Sequence, residues 1–145
     1  MAQGSYGSGM GRYIGGLIPD VIVRADGTIS PVRSASWVGG VEQVVSKDFS
    51  IAAYYSGAYA YRNHGVDSDG MYLGFGYPGS SNSNNRRIQQ FTGVFTWRTF
   101  KTENRGSMQW STQFSNFRRD PWSVGSGPIY ADMFMMLTQI RYNLP

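Results

Sequence analysis

The feature that most constrains the fold is an alternation of side-chain type from Met108 to Asn116, within residues 106–122, which read GSMQWSTQFSNFRRDPW. Large or apolar side chains take every second position, namely Met108, Trp110, Thr112 and Phe114. Amide and hydroxyl side chains fill the gaps, namely Gln109, Ser111, Gln113 and Ser115. A period of two residues predicts a β-strand with two different faces. A soluble sheet would bury the aromatic face in a core, whereas a membrane barrel would turn it outward to lipid.

The same period recurs along the chain and predicts further strands over residues 36–45, 49–62, 87–101 and 131–145. Each of these segments has ten or more residues. Strands of globular proteins have mostly about 5–6 residues, whereas a tilted membrane-spanning strand needs about 9–11. Strand length therefore favours a membrane barrel, although soluble barrels with long strands exist.

The connections between the predicted strands alternate in length. Residues 46–48 and 102–105 form short turns, whereas residues 63–86 and 120–130 are long and rich in Gly, Ser, Asn, Pro and Asp. Outer-membrane barrels have short periplasmic turns and longer outer loops. With the short turns in the periplasm, the last strand runs downward and the C-terminus lies in the periplasm. Residues 71–77 are too few to span, so we predict a strand extension or a hairpin within the long loop.

The first 35 residues are predicted to hold one more long strand and a loop. Residues 4–16 are a Gly-rich candidate strand, and residues 18–32 form a loop with its own hairpin, turning at Ala25-Asp26-Gly27. The count of spanning strands is then about six. Single-chain membrane barrels begin at eight, and open edges are not tolerated in lipid. Two strands are therefore unrecognised, or several chains close one barrel, or the chain is the C-terminal part of a larger barrel.

Composition agrees with a β protein. Charged residues make up 15% of the chain, well below the roughly 25% of an ordinary soluble domain. Aromatic residues also make up 15%, with 19 glycines and 10 tyrosines, and the strong helix formers are scarce. We predict one all-β domain over residues 1–145. It is an antiparallel up-and-down transmembrane β-barrel, or an open segment of one, with about 6–8 long strands.

The N-terminal stretch MAQGSYGSGMGRY has no apolar core of a signal peptide, and no run approaches the ~20 apolar residues of a membrane helix. Either the chain is cytoplasmic, or it is a mature or partial chain whose export signal lies elsewhere.

No residue pattern predicts an enzyme, a metal site or a cofactor. The chain has one histidine, His64, and no cysteine, and it lacks a nucleophile elbow or a zinc-binding helix motif. Residues 74–79 match G-x-G-x-x-G, but Pro78 prevents the helix that a nucleotide site requires. Residues 67–70 lack the glutamate of a calcium loop. The net charge of +4 is scattered, so nucleic-acid binding is not expected.

The polar face of the predicted strands gives the functional hypothesis. We predict that the following residues line a watery lumen, with Glu42 the single acid among them: Arg62, Gln90, Arg98, Gln109, Gln113, Gln139 and Arg141. Such a lumen would favour small anionic or neutral polar solutes. Gln, Ser, Thr and Arg would be equally ordinary on the solvated face of a soluble sheet.

Aromatic residues stand at or near the predicted strand ends: Trp37, Tyr61, Trp97, Phe117, Trp122 and Tyr142. This placement is typical of aromatic girdles at membrane interfaces. Arg118 and Arg119 follow the outer end of their strand, where they would meet lipid phosphates or water.

The C-terminal sequence from Gln109 onward resembles the ending of bacterial outer-membrane porins. Arg119-Asp120-Pro121-Trp122 and Tyr142-Asn143-Leu144-Pro145 carry the likeness, and residues 6–32 are similar to a loop segment of the same family. The resemblance implies passive diffusion of small polar solutes across the outer membrane. It also implies that the chain is the C-terminal portion of a larger, oligomeric barrel. The chain ends in Leu-Pro, whereas a common barrel ending has an aromatic final residue.

Two other functions remain open. One is a soluble antiparallel barrel or sandwich that binds a ligand, such as a carbohydrate, through surface tyrosines and tryptophans. The other is a small, complete membrane barrel with a structural or adhesive role. A chain that is soluble and monomeric without detergent would exclude both membrane hypotheses.

Overall fold

A computed structural model describes residues 1–14, 18–102, 106–125 and 127–144 of the chain. The chain is all-β, as the alternation predicts, and its main element is one six-stranded antiparallel sheet. The strands of this sheet are β1 (Ala2–Ser8), β4 (Arg33–Val44), β5 (Phe49–Ala60), β8 (Asn85–Thr102), β9 (Gly106–Pro121) and β10 (Ala131–Asn143). No helix within the described ranges is long and apolar enough to cross a membrane.

The sheet has the order β1-β4-β5-β8-β9-β10, so each strand pairs with its neighbour along the chain. The five long strands have 12 to 18 residues, well above the usual length in globular proteins. β1 and β10 are the two edges, and they do not pair with each other in the part of the chain that the structure describes.

Short elements fill the long connections. The strand predicted over residues 4–16 was wrong beyond Ser8, because β1 ends there and Gly11–Ile14 form a short helix. The first connection holds the helix α1 (Gly11–Ile14) and a hairpin of β2 (Val21–Val23) and β3 (Ile29–Pro31). The predicted turn of this hairpin is confirmed, since the N–H of Gly27 donates to the carbonyl of Arg24 at 2.9 Å. The second connection holds the predicted hairpin, formed by β6 (Asn63–Val66) and β7 (Tyr72–Phe75).

The connections give the sheet two different ends. The turn end carries the short connection between β4 and β5 and the one between β8 and β9. Of the predicted turn at 102–105, residues 103–105 lie outside the described residues. The loop end carries the long connections, residues 9–32, 61–84 and 122–130. The predicted alternation of short and long connections is therefore confirmed.

The register of the sheet sorts its side chains into two faces. One row runs from Phe49 across Trp97 and Trp110 to Ile140, because these residues are direct partners on adjacent strands. The face that carries this row is called the aromatic face. The opposite face carries Thr92, Thr96, Gln109, Ser111, Gln113 and Ser115 and is called the polar face. Alternation along each strand fixes both faces at once.

No second layer covers the aromatic face among the described residues. Val41 and Ile140 on this face are 71% and 73% exposed. Trp110 and Phe114 are 40% and 37% exposed, and the main contacts of their rings are with neighbouring rings such as Phe95, 6.0 Å from each.

The buried apolar core lies at the loop end instead. It consists of Ile18, Ile22, Val32, Ala58, Ala60 and Phe75, with Ile14 and Trp122 packed against it. Ala58 and Ala60 belong to the end of β5, whereas Ile18, Ile22 and Phe75 come from the long connections. The loops are therefore folded onto the sheet rather than extended from it.

Large rings lie across glycines on adjacent strands. A Cβ on Gly57 would lie 2.3 Å from Cζ2 of Trp37, and a Cβ on Gly40 would lie 2.2 Å from Cδ1 of Tyr54. A ring that covers a strand glycine replaces the packing that the glycine lacks and helps to fix the register.

We expect Gly57→Ala to lower the free energy of unfolding by about 1–3 kcal/mol, because the new methyl group displaces the indole of Trp37. Gly39→Ala on the neighbouring strand is the matched control, since a Cβ there meets nothing within 4 Å. Denaturant unfolding followed by circular dichroism measures both. Equal stability of the two variants would contradict this role of Trp37.

Candidate functional site

The centre of the polar face is a network of hydroxyl and amide side chains on β8 and β9. Thr92 and Ser115 are direct cross-strand partners, and their hydroxyl oxygens lie 3.0 Å apart. The amides of Gln90 and Gln113 donate to these hydroxyls, each at 2.9 Å. The geometry follows from the pleat, because residues two apart on one strand lie on the same face. The network holds each polar group in place beside its neighbours.

A second part of the network lies toward the turn end. The hydroxyls of Thr96 and Ser111 are 3.0 Å apart, and the amide of Gln109 donates to Ser111 at 3.2 Å. The two parts form one strip of bonded polar side chains along the sheet. Such a strip offers its remaining lone pairs and N–H groups to water or to a polar solute.

The register brings most of the predicted lumen residues to this face. They are Glu42, Gln90, Arg98, Gln109, Gln113, Gln139 and Arg141. Arg98, Gln109 and Arg141 form one row across β8, β9 and β10 near the turn end. Glu42 lies on the other side of the sheet's centre, on β4, and accepts a hydrogen bond from the hydroxyl of Tyr54. Two guanidinium groups thus share this row. On the β5 side the row meets Asp48, whose carbonyl accepts the backbone N–H of Arg98 at 2.7 Å.

Arg62 does not belong to the sheet. β5 ends at Ala60, so the predicted strand was two residues too long and the placement of Arg62 on the polar face was wrong. The chain turns away because the amide of Asn63 donates to the carbonyl of Pro31 at 2.9 Å. The guanidinium of Arg62 lies over the indole of Trp122, 4.4 Å from the ring centre.

The predicted interface aromatics occupy three different environments. Trp97 and Tyr142 lie on the aromatic face toward the turn end, and Trp37 lies on the same face toward the loop end. Tyr61 follows β5 and makes an edge contact with Tyr6, with ring centres 6.1 Å apart. Two further members of the set, Phe117 and Trp122, do not fit a girdle that faces lipid.

Phe117 and Trp122 lie away from the aromatic face. Phe117 is the direct partner of Gln90 and so lies on the polar face. Trp122 packs against the loop-end core, and its indole N–H donates to the carbonyl of Ala60 at 3.2 Å. The sequence placed both rings near a strand end, but the role of Trp122 depends on a partner 62 residues away.

The arginines at the end of β9 are bound to other parts of the protein. Asp120 is only 2% exposed; its Oδ2 accepts from Nε of Arg87 at 2.7 Å, and its Oδ1 accepts from Nε of Arg118 at 3.3 Å. Arg118 also lies 4.1 Å from the ring centre of Tyr130, and Arg119 donates to the side-chain oxygen of Asn85. The prediction that Arg118 and Arg119 are solvated or bound to lipid missed these contacts, which join β8 to β9.

A cavity of about 330 Å³ opens on the polar face near the loop end. Its lining includes two serine hydroxyls, the amide of Gln90 and three apolar side chains, namely Ser36, Ser56, Gln90, Ile14, Ile88 and Phe117. Ile14 comes from α1, which lies against β4. The arrangement combines apolar surface with a few hydrogen-bonding groups, which suits a small neutral polar molecule.

An ion pair holds α1 in place. Oδ1 of Asp20 accepts the backbone N–H of Arg12 at 2.8 Å, and Oδ2 accepts its guanidinium Nε at 2.6 Å. The backbone hydrogen bond and then the guanidinium hold the pKa of the Asp20 carboxyl below its ordinary value. This tether fixes the connection that carries Ile14 to the cavity.

The potential metal ligands of the described residues do not gather at one place. No group of three or more His, Cys, Asp or Glu side chains within them could hold a metal ion. His64 lies on β6, where its ring makes an edge contact with Tyr72 at 5.8 Å. Comparison of the chain with protein-family models, with curated proteins and with solved structures finds no match. The geometry described above is therefore the basis for a functional proposal.

We expect Asp120→Asn to lower the free energy of unfolding by about 1–3 kcal/mol, because Arg87 and Arg118 lose their shared carboxylate partner. Asp69→Asn in the β6–β7 turn is the control, since Asp69 is exposed. Chemical unfolding of the three proteins tests this. A loss no greater than that of the control would contradict the structural role of Asp120.

Proposed function

We propose that the chain is a segment of a porin-type β-barrel of the bacterial outer membrane, through which small polar or anionic solutes diffuse passively. In this proposal the aromatic face meets lipid and the polar face lines a water-filled lumen. The observation that carries it is the long-stranded sheet whose aromatic face is uncovered, while its opposite face carries hydrogen-bonded polar side chains along β8 and β9.

The uncovered aromatic face supports contact with lipid. Exposed apolar patches of this extent are unusual on a monomeric soluble protein and indicate an interaction surface. A soluble sandwich would bury such a face against a second sheet, and the described part of the chain contains only one large sheet. Lipid is an occupant that covers a continuous sheet face without a second protein layer.

Three polar side chains on the aromatic face of β9 and β10 support the same proposal, because they bond to one another. The indole N–H of Trp110 donates to Thr138 Oγ1 at 2.7 Å, and Thr138 Oγ1 lies 3.1 Å from Thr112 Oγ1. Thr138 also donates to the carbonyl of Ser111 at 3.4 Å. In a hydrocarbon environment an unbonded polar group would cost several kcal/mol, on the order of 2–7.

The distance along the strands between Trp97 and Trp37 is close to the height of the apolar band of a membrane barrel. Trp97 is the partner of Phe49, and Trp37 is the partner of Gly57, eight residues further along β5. Eight residues span about 27 Å along a strand, or about 20 Å in height at the usual ~40° tilt of a membrane barrel. The apolar band of outer-membrane barrels is about 25 Å tall.

The charges on the polar face support a preference for anions. Arg98 and Arg141 share one row near the turn end, and Glu42 is engaged by the hydroxyl of Tyr54. A cationic row in a narrow aqueous path raises the local concentration of anions. Neutral polar solutes would use the hydroxyl and amide strip.

The proposal requires a larger assembly than six strands. β1 runs toward the loop end and β10 runs away from it, so another strand or another copy would continue the antiparallel order at either edge. The barrel would be closed by the remainder of a longer chain or by further copies of this one. Either arrangement would pair the edge N–H and C=O groups that lipid does not tolerate.

We expect the closed barrel that contains this chain, reconstituted into planar lipid bilayers, to conduct ions with a preference for anions. Arg98→Glu combined with Arg141→Glu should lower the anion-to-cation permeability ratio severalfold, because it reverses the charge of one row. Arg24→Glu is the control, since it also reverses a positive charge but lies between β2 and β3, at the opposite end of the sheet.

Two results would contradict the proposal. One is a wild-type protein that stays soluble and monomeric without detergent, as the carbohydrate-binding alternative requires. The other is bilayer insertion without conductance, which the adhesive or structural barrel requires.

A further inference from the structure

We propose that the loop end contains a binding site for an oxyanion, such as a phosphate group, between Arg33 and Arg62. Both arginines line one cavity of about 390 Å³, together with Ser30, Pro31, Tyr61 and Asn63. The site lies where β3, the start of β4 and the link from β5 to β6 meet. It is separate from the strip of polar side chains on the sheet and does not depend on the proposed pore.

Arg62 is held in position by an aromatic platform. Its guanidinium lies 4.4 Å from the centre of the Trp122 ring. Trp122 is itself fixed, because its N–H donates to the carbonyl of Ala60 and a Cβ on Gly76 would lie 2.7 Å from its Cδ1. A guanidinium that stacks on a ring keeps its N–H groups available at its edge for a planar, bidentate interaction.

The remaining walls of the cavity are also fixed. The backbone N–H of Tyr61 donates to the carbonyl of Arg33 at 2.9 Å, which joins the two arginine-bearing segments. The amide of Asn63 donates to Ser30 Oγ at 3.0 Å and to the carbonyl of Pro31 at 2.9 Å. Arg24 adds a further cation at the edge, since its Nη2 donates to Ser30 Oγ at 3.3 Å. The site is thus preorganised, which lowers the entropic cost of ordering its side chains when a ligand binds.

The charges around the cavity favour an anion. Its lining contains two arginines and no acid, and neither arginine forms an ion pair within the described residues. The nearby loop acids are engaged elsewhere, with Asp20 bound to Arg12 and Asp26 bound to Thr28.

Two cations that face one cavity repel each other until an anion lies between them. Two N–H groups of one guanidinium can donate to two oxygens of the same phosphate or carboxylate. We therefore infer that an oxyanion is preferred to a halide. The group would belong to a soluble solute or to a lipid headgroup.

The test is titration of the folded, detergent-solubilised protein with inorganic phosphate and with glycerol phosphate, measured by calorimetry. Arg33→Gln and Arg62→Gln are each expected to weaken binding about tenfold, because each removes a charged hydrogen bond. Arg62→Lys keeps the charge and loses the bidentate hydrogen bonds of the guanidinium, so this variant should also bind phosphate more weakly than wild type. Lys47→Gln at the turn end is the matched control and should bind as wild type does.

A second arm separates the two sources of the phosphate group. Soluble phosphate that binds the wild-type protein and not the double variant, which combines Arg33→Gln with Arg62→Gln, supports a site for a solute. Arginine-dependent binding to phosphatidylglycerol vesicles, with none to soluble phosphate, supports the same recognition on a headgroup.

Equal phosphate and vesicle binding by wild type and the double variant would overturn the site, as would no binding in either arm. Circular dichroism establishes that each variant is folded, and Arg62→Lys provides the test where a Gln variant does not fold. Phosphate binding without bilayer conductance would contradict the pore and leave this site standing.

Discussion

The antiparallel pairing of β4, β5, β8, β9 and β10 in a single register is the constraint on which the rest of the structure depends. A slip of one residue would move every side chain of a strand to the other face, so the aromatic and polar faces exist only in this register. Cross-strand contacts help to hold it, including Trp37 across Gly57 and the hydroxyl pair of Thr92 and Ser115. Both proposed environments of the sheet, lipid and water, follow from this one alignment.

The loop end contributes what the sheet lacks, which is a buried core and a fixed set of charges. Trp122 is central to it, because its ring packs against the core, bonds to Ala60 and supports the guanidinium of Arg62. Asp120, two residues before Trp122 at the end of β9, joins β8 and β9 through Arg87 and Arg118. The proposed lumen and the proposed oxyanion site are therefore positioned by different interactions, and each can be altered without the other.

Much of the fold could be predicted from local sequence, because strands and tight turns are encoded by period and by turn residues. The five long strands and both loop hairpins were predicted in this way. The end of β5 was not, since Tyr61 and Arg62 continue the alternation while the bond from Asn63 to Pro31 draws the chain away. The partners of Trp122 and Asp120 lie far away in sequence, so no local pattern could reveal them. The position of Phe117 could have been predicted from the sequence. It lies three residues after Phe114 on the same strand, and side chains an odd number of residues apart point to opposite faces.

The most direct test of the central claim is the environment of two adjacent residues of β5 in a lipid bilayer. Ile51 lies on the aromatic face and Ala52 on the polar face, and the chain has no cysteine, so a nitroxide on a single introduced cysteine reports one position. We predict that spin label at residue 51 collides preferentially with oxygen, which concentrates in lipid, and at residue 52 with a water-soluble nickel complex. Equal access of the nickel complex to both positions, or the reverse preference, would contradict the account.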